Sequence, residues 1–133
     1  MGIFLAAGCQ ASKSSNPLSP TVAGPIAGVT ITAPQPVSPS ANAEIAIDQQ
    51  PLTLTVKNAG TNGVRPLSYT FQVASDAGFS QQLYARAAIT PGDGQTSNQL
   101  ADRLGAAGIY YWRARAEDGA NTGSWTSAVA FTI

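Results

Sequence analysis

The chain has 133 residues, and its seven basic and seven acidic side chains cancel to a formal net charge of zero. Charged residues make up only 11% of it, so there is no electrostatic ground for a nucleic acid or an anionic membrane surface as partner. It has no histidine and a single cysteine, Cys9, which removes the commonest general base and the commonest metal ligand and excludes an intrachain disulfide. A length of this order suits one domain plus a tail. The domain must be held by its core alone, with a margin of about 5–15 kcal/mol.

The chain opens Met1-Gly2-Ile3-Phe4-Leu5-Ala6-Ala7-Gly8-Cys9. The apolar run from Ile3 to Ala7 is far short of the roughly 20 residues that span a bilayer, and it ends in small residues directly before the cysteine. This resembles the end of a bacterial lipoprotein signal peptide, in which the small residues form the cleavage site and the cysteine becomes the lipid-modified first residue. The resemblance implies a partial signal peptide over residues 1–9 whose true start lies upstream. It also implies lipidation at Cys9 and attachment to a membrane through that lipid. Two features depart from the family pattern. Leu5 stands one place earlier than preferred, with Ala6 in the leucine position, and no Lys or Arg precedes the apolar run. The alternative is a stray cysteine in a tail. Residues 10–28 are rich in Ser, Pro, Ala and Gly and carry one charge, Lys13, a composition that predicts a flexible to semi-extended tether. In the lipoprotein family an aspartate after the cysteine retains the protein at the inner membrane. Gln10 in that place implies the outer membrane or cell surface instead.

From Val29 onward apolar residues alternate in short runs between turn residues, which predicts a β-sandwich over residues 29–133. Val29–Thr32 reads as a first short strand or the lead into one. Pro34, Pro36 and Pro39 confine the next stretch to an edge, because each removes a ladder donor. Leu52, Leu54 and Val56 alternate inward, as do Tyr69, Phe71 and Val73. Asn58–Gly63 between them is a loop by composition. Gln82–Ala87 is a weaker strand, Pro91–Gly94 a turn, and Thr96–Leu100 a further strand. Ile109–Ala116 is the strongest, with Tyr110, Trp112, Ala114 and Ala116 on one face and Tyr111, Arg113 and Arg115 on the other. Glu117–Gly123 is a loop, after which Val129, Phe131 and Ile133 alternate inward. The expectation is an all-β, seven-stranded immunoglobulin-like sandwich.

The run from Leu104 to Tyr110 resembles the corner of fibronectin type III domains, where a leucine precedes a tyrosine by six residues across a glycine-containing turn. Pro36–Asn42, Ser68–Ala74 with Ser75–Phe79, and Gly123-Ser124-Trp125-Thr126-Ser127 match the same family. The resemblance implies that Leu104 and Tyr110 form a structural corner in which the buried phenol bonds the turn backbone. These domains usually carry a tryptophan on the second long strand. None lies between Pro51 and Val56, so Trp112 is expected to fill that volume.

Glu117 and Asp118 are adjacent acids in a loop that make no cleft between paired carboxylates and read as a solvated turn. Asp93 between Gly92 and Gly94 lacks the surrounding oxygens that calcium requires and reads as a turn. Asp76 before Gly78 reads as turn-forming, and Lys57 points to solvent. No serine or threonine has a plausible base. Catalytic residues, metal ligands and cofactors are therefore none, and an enzyme is not expected. Tyr111, Arg113, Arg115 and Trp125 form either an internal cation–π stack or a ligand-binding strip. The reading is a non-catalytic, lipid-anchored cell-envelope protein presenting a binding or spacer module to an unknown protein or glycan. The alternatives are an accessory domain of a larger glycan-degrading enzyme and a structural subunit of a surface assembly.

Overall fold

The computed structural model describes residues 25–133. The expected signal segment with Cys9, and the expected tether as far as residue 24, lie outside the described residues. The described chain is all-β. Its strands are β1 (Gln35–Ser38), β2 (Ala43–Glu44), β3 (Thr53–Lys57), β4 (Ser68–Ala74), β5 (Gln82–Ile89), β6 (Gln95–Gln99), β7 (Ile109–Glu117) and β8 (Val129–Thr132). They form a three-stranded sheet in the order β1-β3-β6 and a five-stranded sheet in the order β2-β8-β7-β4-β5. Every pairing is antiparallel except β2 with β8.

The two sheets face each other because each strand has one apolar side. β7 buries Tyr110, Trp112, Ala114 and Ala116 and leaves Tyr111, Arg113, Arg115 and Glu117 half-buried on the opposite face. Tyr69, Phe71 and Val73 of β4 and Val129 and Phe131 of β8 join this inner layer. Leu54 and Val56 of β3 close it from the other sheet. Trp112 is 0% exposed. It stacks on Phe71 with ring centroids 6.4 Å apart, and its indole N–H donates to the Pro39 carbonyl at 3.1 Å. Buried Tyr69 uses its hydroxyl to accept the Ala59 N–H at 2.8 Å; burial raises its pKa, with the Ala59 bond acting weakly the other way. Apart from β6, the core positions follow the alternation in the sequence. There Thr96 and Asn98 also face inward and are satisfied by Asn58 and Tyr84, respectively.

Two stretches depart from the expected strands. Of the two readings of Val29–Thr32, a short strand or the lead into one, the strand is not formed: the segment makes one bridge, Ile31 with Thr61. Its backbone bonds are irregular, with Thr32 N–H donating to the Gly60 carbonyl at 2.9 Å and Asn62 N–H to the Thr30 carbonyl at 3.3 Å, and asparagine side chains hold it and the residues just before it. Asn62 accepts from Thr30 N–H at 2.8 Å and donates to the Gly28 carbonyl at 3.0 Å. Asn121 likewise accepts from Ile26 N–H at 2.8 Å and donates to the Ile26 carbonyl at 2.9 Å. These bonds come from residues distant in sequence and meet backbone groups that a ladder would otherwise pair. The second difference is β2, a two-residue addition beside β8 that takes the described strands beyond the expected seven. The proline-rich stretch does contribute an edge strand, β1, whose register with β3 shifts between Pro36 and Ser38.

The Leu104–Tyr110 turn lies at one end of the sandwich. The Tyr110 hydroxyl donates to the Ala106 carbonyl, and its ring stacks on Phe131 with centroids 5.8 Å apart. Leu104 packs against the core. Gln50 holds Leu104 at two points, accepting from its N–H at 2.6 Å and donating to its carbonyl at 3.3 Å. Because Ala106 is exposed and water can replace part of the lost bond, Tyr110→Phe is expected to lower unfolding stability by about 0.5–1.5 kcal/mol in urea titration. An unchanged midpoint would mean that the turn does not depend on this hydroxyl.

Candidate functional site

The outer face of the five-stranded sheet gathers the singled-out polar and aromatic residues. The β4–β7 register sets Gln72 opposite Arg113, Thr70 opposite Arg115 and Ala74 opposite Tyr111. Trp125 arrives from the segment before β8, which runs beside β7 without joining it as a regular strand. Gly123 N–H donates to the Ala116 carbonyl and Thr126 N–H to the Ala114 carbonyl, both at 2.8 Å. The Thr126 hydroxyl accepts from Ala114 N–H at 3.1 Å. With Thr126 buried, Trp125 is left on the outer face. Gly123 permits this close run, since a Cβ there would lie 2.8 Å from the Ile31 side chain and 3.0 Å from its carbonyl oxygen.

Arg113 and Arg115 both stack on Trp125, their guanidinium carbons 4.1 and 4.4 Å from the ring centroid. Arg113 also lies 4.2 Å from the centroid of Phe79, and its Nε donates to Gln72 Oε1 at 2.9 Å. Burial, and secondarily the like charge of Arg115, holds the Arg113 pKa below its ordinary value; a guanidinium nonetheless keeps its proton. The Arg115 Nε is buried with no hydrogen-bond partner among the described residues, so its contact with the indole face is what compensates the loss of water there. Tyr111 sits on the same face between Ala74 and Ala130 and is not one of the stacked groups. Leu104 and Tyr110 lie in the core and its end turn, away from this face.

Phe79 was not anticipated as part of this group. It follows β4 in a tight turn and adopts φ = 59°, a left-handed conformation unusual for a bulky residue. Asp76 fixes that turn. Its carboxylate accepts from the Ser80 hydroxyl at 2.7 Å, Ser80 N–H at 3.1 Å and Gln81 N–H at 2.8 Å, while Phe79 N–H donates to its carbonyl at 3.1 Å. These bonds, the Ser80 hydroxyl first, hold the Asp76 carboxyl below the usual carboxylate range. The turn-forming role is the one expected of Asp76. Its further effect, placing an aromatic ring over Arg113, depends on geometry that the spacing does not carry.

The neighbouring acids are structural. Glu117 accepts from the Thr70 hydroxyl at 3.0 Å. Asp118 is buried and accepts from Ala120 N–H at 2.9 Å and Asn121 N–H at 2.6 Å, so it caps an internal turn instead of lying solvated as the loop composition suggested. Among the described residues, no three His, Cys, Asp or Glu side chains gather to hold a metal ion. No helix there is long and apolar enough to cross a membrane.

A double-mutant cycle of Trp125→Ala with Arg113→Ala, and again with Arg115→Ala, is expected to give a coupling above about 0.5 kcal/mol in denaturant unfolding. Additive effects in both cycles would show that the stack contributes no interaction energy. A second expectation concerns acid. The Asp76 carboxyl has a depressed folded-state pKa, so its contribution is present above the unfolded pKa and is lost as pH falls through the folded one. In an NMR titration the Ser80 and Gln81 amide resonances should move together only below the ordinary aspartate range, and Asp76→Asn should abolish that transition. A midpoint at the ordinary aspartate value would contradict the carboxylate's role in the turn.

Compared with known proteins, the chain matches no family model and no curated protein.

Proposed function

We propose that this is a non-catalytic, lipid-anchored protein of the bacterial cell envelope. In this reading its sandwich, of the fibronectin type III kind, serves as a binding or spacer module. Three supports bear on the sandwich. The order β1-β3-β6 facing β8-β7-β4-β5 fits an immunoglobulin-like sandwich in which same-sheet hairpins (β4–β5, β7–β8) are joined by crossings between the sheets. Tyr110 bonds the backbone a few residues upstream, as a tyrosine corner does. Arg113 and Arg115 stack on Trp125, one of the two arrangements expected of these residues, on the outer face of the β7 strand that follows the corner.

The observation that carries the anchoring is the order of parts along the chain. An apolar run and small residues precede the single cysteine, a nearly uncharged Ser/Pro segment follows, and the sandwich comes after it, with the backbone of Ile26 just ahead of it gripped by Asn121. A lipid on Cys9 would pull on the domain at this clamp. The stacked face gives the module its candidate binding surface. A guanidinium lying against an indole still offers in-plane N–H donors, which suits carboxylate or hydroxyl groups of a protein or glycan ligand.

Expressed from its own gene in a bacterial host, the protein should incorporate radiolabelled fatty acid and fractionate with membranes, and Cys9→Ser should lose both. Equal labelling of the two forms, or labelling of neither, would refute the anchor and return the chain to the reading of an accessory module.

A further inference from the structure

Most strand edges of this sandwich carry features that discourage pairing with another chain. β5 bounds the five-stranded sheet, but its register against β4 shifts twice, between Tyr69 and Phe71 and between Val73 and Ala74. β1 contains Pro36 and a register shift. β2 has two residues. β6 is different: it bounds the three-stranded sheet, pairs with β3 in unbroken register from Gln95 to Gln99, and reads Gln-Thr-Ser-Asn-Gln, with neither charge nor proline.

The ladder fixes which backbone groups of β6 are spoken for. Leu100 N–H donates to the Leu52 carbonyl at 2.8 Å and Asn58 N–H to the Gly94 carbonyl at 3.0 Å. Antiparallel hydrogen-bonded pairs alternate with non-bonded ones, so Thr96 and Asn98 exchange bonds with β3, and Gln95, Ser97 and Gln99 turn their N–H and C=O groups away from it. The side chains of these three residues lie on the exposed face. The Gln95 carbonyl is covered by the preceding turn, because a Cβ on Gly92 would fall 2.3 Å from it. The remaining outward groups of Gln95, Ser97 and Gln99 have no partner among the described residues.

We infer that β6 is a self-pairing edge, and that two copies of this chain join through it in an antiparallel pair centred on Ser97. A two-fold axis there sets Ser97 against Ser97 of the second copy, exchanging both bonds, and brings each copy's Gln95 N–H to the other's Gln99 carbonyl, the Gln95 carbonyl staying covered by its own turn. Side-chain amide faces amide, hydroxyl faces hydroxyl, and no like charges meet. The Thr55–Ser97 hydroxyl contact at 2.8 Å would continue across the axis into the same contact in the other copy. Lys57 pairs with Gln95, so the two copies' lysines are kept apart by the strands between them. A zero net charge adds no long-range repulsion. Five paired residues bury less than the roughly 1,200 Å² of a stable interface, so the association is weak and depends on local concentration. The inference rests on the sheet edge and is independent of any lipid on Cys9.

Residues in a hydrogen-bonded antiparallel pair have Cα atoms about 5.5 Å apart, within disulfide range. In the full chain with Cys9→Ser, a Ser97→Cys variant should therefore cross-link to itself under mild oxidation at least about tenfold faster than Gln95→Cys or Thr53→Cys. Gln95→Cys mixed with Gln99→Cys should give the mixed dimer in preference to either self-dimer. Ser97→Lys should shift concentration-dependent sedimentation towards monomer while leaving the near-UV circular dichroism unchanged. Equal cross-linking at all three positions would overturn the pairing. So would dimers unaffected by Ser97→Lys, or a monomer at every concentration up to the millimolar range.

Discussion

The alternation of β7 is the constraint on which the rest of the structure depends. One side of this strand carries Trp112, wholly enclosed and stacked on Phe71, and the other carries two arginines that need contact with water or a π face. Because successive side chains point to opposite faces, the core and the outer stack are fixed by one strand register. A slip of one residue would put Arg113 and Arg115 inside and Trp112 outside. Uncompensated buried charges cost several kcal/mol each, and the paired loss of aromatic packing would add to that. The long β4–β7 ladder, running without a break from Ser68–Glu117 to Ala74–Tyr111, prevents such a slip.

Around that strand, side-chain hydrogen bonds close what regular pairing leaves open. Asn62 and Asn121 grip the leading segment, Gln50 grips the Leu104 turn, and Asp76 grips the turn that delivers Phe79. Each is a short polar side chain satisfying backbone groups that would otherwise be left unpaired near the surface. Without a disulfide, these clamps fix the loops by hydrogen bonding while apolar burial holds the layers together. In this sparsely charged chain amides, carboxylates and backbone groups hold the leading segment from Ile26 and these turns, at less desolvation cost than ion pairs.

Much of the core was legible in the sequence because period-two alternation is a local signal. Leu54, Val56, Tyr69, Phe71, Val73, Trp112 and Phe131 are all buried where the pattern placed them. The outer position of both arginines followed from the same alternation, and the turn before Trp125 brought it to them. Three features were not legible. Val29–Thr32 read as a short strand or the lead into one because its composition is β-branched, yet it forms only one bridge and Asn62, distant in sequence, takes its Thr30 N–H. Phe79 stood in a loop, with nothing in its spacing to show that a left-handed turn would carry it over Arg113. Asp118 looked solvated beside Glu117 and Gly119, but it is turned inward to cap Ala120 and Asn121. In each case the deciding partner is a contact across the fold or a turn geometry that spacing does not encode.

The two tryptophans provide the most direct test of a β7 strand with one dry and one stacked face. Trp125→Phe leaves Trp112 as the sole indole. Its emission is expected to be blue-shifted and nearly immune to acrylamide quenching, as befits a side chain that is 0% exposed. Emission at the wavelength of a free indole, quenched as readily as in the unfolded chain, would contradict the enclosed core on which the account rests.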